Sequence, residues 1–266
     1  MTRLSRFSSC AWSAHRALCR LWPRSREAVL DLLFSRRCSA CEGPELAPDL
    51  PFCPACAATL QPVQPDHACR RCAMPLEASL EAGREVRRCR HCAAWPAELS
   101  SVRAPFEYGG ALAEAIIALK WQARDDLAQP LARLWLPLFE LRLAGCDVVV
   151  PVPLHPLRLR ERGYNQAHLL AQAGLAALPA ALRPSLLPQL LQRHRPDPPT
   201  RHASQQERVR RTRDAFFAPQ PRPLTGKRVL LIDDVVTTGA TLSACALALH
   251  RAGARQVTAL TLARTV

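Results

Sequence analysis

Two groups of residues in this 266-residue chain have the types and spacing to do chemistry. The first is cysteine. Of twelve cysteines, eight fall into four CxxC pairs: Cys38/Cys41 with Cys53/Cys56, and Cys69/Cys72 with Cys89/Cys92. A CxxC turn offers two thiolates from one tight knuckle, and two knuckles complete a tetrahedral sulfur site for zinc. The spacing predicts two structural Zn²⁺ sites. Disulfides and an iron–sulfur cluster are the competing uses of such pairs. His67 and His91 lie beside ligand cysteines, but each set already has four sulfurs, so both read as spectators. Cys10, Cys19, Cys146 and Cys245 have no partner at ligand spacing.

The second group follows the apolar run Val229–Ile232: Asp233 and Asp234, two valines, then Thr237, Thr238, Gly239, Ala240 and Thr241. Hydroxyls and a glycine opening a helix favour an anion such as phosphate, because the first N–H groups are free and the helix dipole is positive there. Adjacent carboxylates repel unless they meet donors or a cation, and a ribose diol supplies donors. The combination suits a ribose 5-phosphate. No Walker A sequence or GxGxxG turn is present, which weakens nucleoside-triphosphatase and dinucleotide readings.

The elements that must position these groups can be read from periodicity. Leu112, Ala115, Ile116 and Leu119 recur at helical spacing and end at Lys120 and Trp121; residues Leu127 to Leu141 continue as a second helix containing Pro130 and Pro137. DVVVPV at 147–152 reads as a strand, followed by an Arg-rich loop and a helix from about Asn165 to Leu178. RVLLID at 228–233 reads as a buried strand. Leu242, Cys245, Ala246 and Leu249 stripe the next helix, which Gly253 ends, and QVTALTL from Gln256 to Leu262 returns as a strand. Strand, helix, strand of this kind predicts an α/β fold with a mainly parallel sheet, whose ligands gather beyond the carboxyl ends of the strands. By contrast, residues 38–96 hold few large apolar residues, Phe52, Leu60, Leu76 and Trp95 among them. Metal is expected to serve as the core of that module.

VLLIDDVVTTGATL resembles the phosphoribosyl-pyrophosphate (PRPP) motif of type I phosphoribosyltransferases. The resemblance implies that Asp233 and Asp234 contact the ribose hydroxyls, while Thr237, Thr238, Gly239, Ala240 and Thr241 wrap the 5-phosphate. VPVPLHPLRLRERGYNQAHLLA at 150–171 is similar to the pyrophosphate-loop region of the ComF family, and the paired cysteine knuckles are similar to its double zinc ribbon. That likeness implies a pyrophosphate held along Pro151 to Arg162, with Arg158 and Arg162 as charge donors and Mg²⁺ accompanying PRPP. Lys120, in ALKW, matches the family's basic-aromatic turn; the other reading is a solvated lysine at a helix C-terminus. The implied architecture is a type I phosphoribosyltransferase domain over 97–266, preceded by a double zinc ribbon over 28–96 and a basic, disordered extension over 1–27. One stretch departs from the family pattern: Pro199-Thr200, Ala203-Ser204, Glu207-Arg208, Arg211 and Asp214-Ala215-Phe216 lack its glutamine and asparagine. This would be the hood over the site, so a borrowed acceptor specificity is not secure.

Composition narrows the partners. The net charge is +14, and only Lys120 and Lys227 among 36 Lys+Arg are lysine. Guanidinium suits bidentate phosphate recognition, although a coding bias toward arginine would give the same total. The longest uncharged stretch, Tyr164 to Leu182, carries Asn165, Gln166, His168, Gln172 and Pro179 and reads as a soluble helix rather than a span. Reduced zinc thiolates imply a cytoplasmic protein. Two functions are therefore expected as alternatives. One is a Mg²⁺-dependent phosphoribosyl transfer to a nitrogen acceptor. The other is a non-catalytic PRPP or nucleotide binder whose ribbons meet single-stranded DNA or a competence protein, with Arg70, Arg71, Arg87, Arg88 and Arg90 as the basic surface.

Overall fold

The computed structural model describes residues 37–43, 50–76, 89–195, 212, 214–219 and 224–266. The basic extension 1–27, the arginines Arg87 and Arg88, and the hood residues Pro199 to Arg211 lie outside the described residues. In chain order the elements are α1 (Pro54–Ala57), β1 (Leu99–Arg103), β2 (Phe106–Glu107), α2 (Gly110–Trp121), α3 (Ala128–Leu143), β3 (Val148–Pro151), α4 (Pro156–Arg162) and α5 (Gln166–Ala176). They continue as β4 (Ser185–Leu186), β5 (Gln192–Arg193), β6 (Phe216–Phe217), β7 (Arg228–Val236), α6 (Ala240–Arg251) and β8 (Gln256–Arg264).

The main sheet runs β1-β8-β7-β3-β4 with every pairing parallel, and β2 continues the β1 edge alongside the end of β8. β7 and β8 sit centrally because they are apolar on both faces, as strands covered by helices on each side must be. Alternation sorts their side chains. Val229 and Leu231 of β7 join Val257 and Ala259 of β8 in one apolar cluster with Leu242, Cys245 and Leu249 of α6. Leu230 and Ile232 join Leu260 and Leu262 in the other, with α2, α3 and α5.

The predicted mainly parallel α/β sheet is therefore present, and α2, α3, α5 and α6 fall where periodicity puts them. Pro137 lies inside α3. Three features differ from the sequence reading. β7 runs through both acids to Val236 instead of ending at Asp233. The Arg-rich segment after β3 is not all loop but contains the seven-residue helix α4. Finally, β1 and β2 form an edge that periodicity missed, since LSSVR is short and half polar.

The cysteine-rich module does not stand apart from this sheet. Cys38 and Phe52 are buried in the α2/α3/α5 cluster, whereas Cys69, Cys72, Cys89, Cys92 and Trp95 are buried in the α6 cluster. The two knuckle pairs thus cover opposite faces of the sheet.

Candidate ligand site and cysteine clusters

Each cysteine set closes on itself. In both, one Sγ per cysteine lies within 4.8 Å of all the others. Sulfur separations include 3.7 Å for Cys41–Cys53 and for Cys69–Cys92, 3.5 Å for Cys72–Cys89 and 3.9 Å for Cys89–Cys92. Four sulfurs around zinc at a Zn–S distance of ~2.3 Å would be ~3.8 Å apart along each tetrahedral edge. All eight cysteines are free thiols, so the disulfide alternative does not describe this arrangement. A hydrogen bond from Cys72 pulls the Cys69 thiol down to about 4, and the same contact pushes Cys72 up. A divalent cation would replace that uneven sharing by holding all four as thiolates. The chemistry and geometry of both sets fit a double zinc ribbon.

The acidic pair and the hydroxyl loop lie at the carboxyl end of β7, beside the carboxyl end of β3, where β3 pairs with β7 from Val148 to Pro151. The Asp234 N–H donates to Asp233 Oδ1 at 2.9 Å, and the Val235 N–H donates to Asp234 Oδ1 at 2.7 Å. Lys120, at the last turn of α2, reaches this strand end: its Nζ is 2.9 Å from Asp234 Oδ2, with side-chain exposures of 23% for the lysine and 4% for the aspartate. The solvated-lysine reading therefore fails. Burial opposes the charge on Lys120, but Asp234 and, behind it, Asp233 outweigh burial and hold its pKa above the ordinary lysine range. Asp233 is pushed up to about 8 by burial and by the neighbouring Asp234 charge, against the pull of Lys120.

Past Val236, residues 237–239 turn into α6, with Gly239 as N-cap in the left-handed region at φ 77°. Thr238 Oγ1 accepts from the Ala240 N–H at 3.3 Å. Helix geometry leaves the other first-turn N–H groups without intrahelical acceptors, which is the property an anion uses. The five loop residues proposed from sequence are thus contiguous with the acidic pair.

The segment from Pro151 to Gln166 is anchored independently. The Val152 N–H donates to the Ile232 carbonyl at 2.9 Å, tying the exit of β3 to β7. Asn165 caps α5 through its Oδ1, accepting from Ala167 and His168, while its Nδ2 donates to the Val152 carbonyl at 2.9 Å. Tyr164 Oη donates to the Leu119 carbonyl at 2.5 Å, beside Lys120. Arg158 and Arg162 lie one turn apart on α4, with their guanidinium carbons 5.5 Å and 4.9 Å from the centroid of Trp121. Arg158 also pairs with Glu161 at 2.9 Å, and Arg162 donates to Gln166 Oε1. The structure brings Lys120 and Asp234 into contact; it places Arg158 and Arg162 on the residue following Lys120.

Asn165 and Tyr164 read in sequence only as the start of a helix, and their tertiary bonds have no local signal. One expected role is corrected. Arg71 is 5% exposed and spends its guanidinium on the carbonyls of Cys92, Trp95, Pro96 and Leu99. It is an internal brace and cannot form part of a nucleic-acid surface. Arg70 and Arg90 are exposed.

Comparison with known proteins agrees with both halves. Residues 29–94 match the double zinc ribbon domain model and residues 192–265 the phosphoribosyl transferase domain model. The DNA utilization protein YhgH of Salmonella typhi is 31% identical over 86% of this chain and 97% of its own length. The Escherichia coli K12 protein of that name is 31% identical over 74% of this chain and 84% of its own length. Competence protein ComFC of Bacillus subtilis is 28% identical over 83% of this chain and 87% of its own. With paired cysteine clusters joined to a parallel sheet and this extent of identity to full-length relatives, the chain belongs to the ComF family of double-zinc-ribbon proteins with a phosphoribosyltransferase domain.

Proposed function

We propose that this protein binds PRPP with Mg²⁺ and transfers the phosphoribosyl group to a nitrogen acceptor, with release of pyrophosphate. The observation that carries the reading is the Lys120–Asp234 pair at the carboxyl end of β7, contiguous with Asp233 and the Thr237–Thr241 loop. Each residue type suits one part of the donor. Asp233 and Asp234 accept from the ribose hydroxyls, the loop from Thr237 to Thr241 receives the 5-phosphate, and Arg158 and Arg162 offset the charge of the departing pyrophosphate. Lys120 holds Asp234 in its acceptor geometry. In the transfer, the bond from the anomeric carbon to the pyrophosphate oxygen breaks, a carbon–nitrogen bond forms, and the acceptor's proton passes to solvent. Mg²⁺ would neutralise the pyrophosphate; the protein's share is positioning and charge complementarity. The proposed units are the ribbons over 28–96 and the transferase domain over 97–266, in a cytoplasmic protein whose thiolates stay reduced.

Isothermal calorimetry with PRPP and Mg²⁺, followed by a screen of nucleobases and amines for pyrophosphate release, tests this. The double variant Asp233→Asn/Asp234→Asn keeps shape but loses charge and acceptor capacity. Its PRPP binding should weaken by about 1–3 kcal/mol for each strong hydrogen bond lost. Equal affinity in the variant and the parent would remove the acids from the site. Binding without turnover of any acceptor would favour the second reading, a non-catalytic binder acting with single-stranded DNA or a competence protein. That reading draws on the exposed Arg70 and Arg90 beside the second cluster and on relatives named for DNA utilization and competence. It requires DNA affinity that falls steeply with salt.

A further inference from the structure

Trp95 lies three residues beyond Cys92 and is 4% exposed. Its indole Nε1 donates to the Thr238 carbonyl at 2.9 Å, across 143 residues of chain. The ring also occupies the space beside Gly239: a Cβ at that position would lie 2.2 Å from Trp95 Cζ2 and 2.4 Å from Cε2. Gly239 is therefore required twice, by its positive φ and by the indole against it.

The tryptophan is itself held by the second cysteine cluster. Its N–H donates to the Cys92 carbonyl at 3.1 Å, and its own carbonyl accepts from Arg71 Nη2 at 3.3 Å. Arg71, between two ligand cysteines, also donates from Nη1 to the Cys92 carbonyl at 2.9 Å, and its guanidinium carbon stands 6.0 Å from the centroid of the indole. On the other side of the cluster, Arg264 at the end of β8 donates from Nη1 to the Cys72 carbonyl at 2.8 Å. A continuous set of bonds thus runs from the second knuckle pair, through Trp95, to the peptide between Thr238 and Gly239.

We infer that Trp95 is a positioning residue for the Thr237–Thr241 loop, through which the second zinc ribbon sets the loop's ability to hold a phosphate. The inference rests on the PRPP reading for the identity of the ligand, but the mechanics can be tested separately. In a trans peptide the carbonyl and N–H point in opposite directions. Fixing the Thr238 carbonyl on the indole therefore turns the Gly239 N–H away from the ribbon, in a loop that the dipole of α6 has already made anion-attracting. Without the anchor that peptide is free to rotate, and the donor array must be ordered anew when ligand arrives, at a cost in affinity.

The test is Trp95→Phe, which keeps a ring on Gly239 and removes the one donor, compared with the full-length parent after zinc content is matched at two per chain. Amide hydrogen exchange at residues 237–241 reads the loop, and calorimetry with PRPP and Mg²⁺ reads the ligand. Loss of one buried hydrogen bond should speed exchange at Ala240, whose N–H is held by Thr238 Oγ1, roughly fivefold, and weaken PRPP by about the same factor. Unchanged exchange and affinity in a variant with full zinc would overturn the inference. Accelerated exchange in the variant, with no PRPP binding by either protein, would uphold the anchor while removing PRPP as the ligand.

Discussion

At the scale of single residues, the site is a competition between two adjacent carboxylates and one lysine. Because folding raises Asp233 from 3.8 to about 8, the folded protein holds a proton there that the unfolded chain has released at neutral pH. The stability linked to this proton is complete below about pH 4 and is lost as pH rises through about 8. Thermal denaturation between pH 5 and 8 should therefore show a progressive decline in the parent that Asp233→Asn lacks. If the ribose hydroxyls require the carboxylate form, PRPP affinity should rise over the same interval, also absent in the variant. Lys120 is the only described cation bonded to Asp234. Removing one partner of a fully buried pair costs about 3–5 kcal/mol, and the partial exposure of the ammonium lowers that. Lys120→Met should accordingly cost about 2 kcal/mol in urea unfolding, with Lys120→Arg recovering more than half of that loss.

Elements here are joined by contacts from distant chain. The N-cap of α2, Gly109, makes no side-chain bond; instead Thr59 of the first ribbon accepts from the Ala111 N–H at 2.9 Å. Gly110 makes this approach feasible. Its φ is 51°, and a Cβ there would lie 2.5 Å from Thr59 Oγ1 and 2.8 Å from the Thr59 carbonyl. Gly110→Ala should destabilise the protein by about 1–3 kcal/mol, from positive φ and overlap combined. Thr59→Val, which loses both the cap and the bond that Thr59 Oγ1 donates to the Cys56 carbonyl at 2.7 Å, should cost about 1–2 kcal/mol. Both are measured by denaturant unfolding, and both should keep two zinc ions, because neither residue is a ligand. α2 carries Lys120 at its far end, so the Gly110 variant should also weaken PRPP binding modestly.

For the whole molecule, the ribbons contribute to the same apolar clusters as the sheet. Cys38 and Phe52 belong to one, and Cys92 and Trp95 to the other. Zinc removal should thus lower the stability of the entire described body instead of melting a separate appendage. Even ~3 kcal/mol of lost metal-linked stability would lower Tm by roughly 5 °C for a chain of this size. Circular dichroism melts with and without a strong chelator check this: an unshifted sheet transition would show that the ribbons are energetically independent. Metal analysis of reduced protein should return two zinc per chain, falling to one in Cys41→Ser. No described helix is long and apolar enough to cross a membrane.

Much of this is legible in the amino-acid sequence alone. Cysteine spacing predicted both clusters because a CxxC knuckle is a local structure, built within four residues. The same holds for the hydroxyl-rich turn at 237–241, and for the apolar strands Arg228–Val236 and Gln256–Arg264, whose two-sided burial shows as continuous hydrophobicity. The seven-residue α4 was missed because its sequence is dominated by arginine and has no apolar stripe, and β1 because half of LSSVR is polar. Lys120, Arg71 and Trp95 were beyond local reading for another reason. Each carries a side chain whose local chemistry allows more than one role, and the partner that decides the role lies elsewhere in the chain: Asp234 for Lys120, the Leu99 carbonyl for Arg71, the Thr238 carbonyl for Trp95. The cysteine clusters and the acid–hydroxyl segment were set by residue identity and short spacing. Which lysine meets which acid, which arginine is buried, and which ribbon touches the 237–241 loop were decided only when the parallel sheet brought distant segments to one edge, since hydrogen bonds and ion pairs act over a few ångströms and leave no trace in sequence separation.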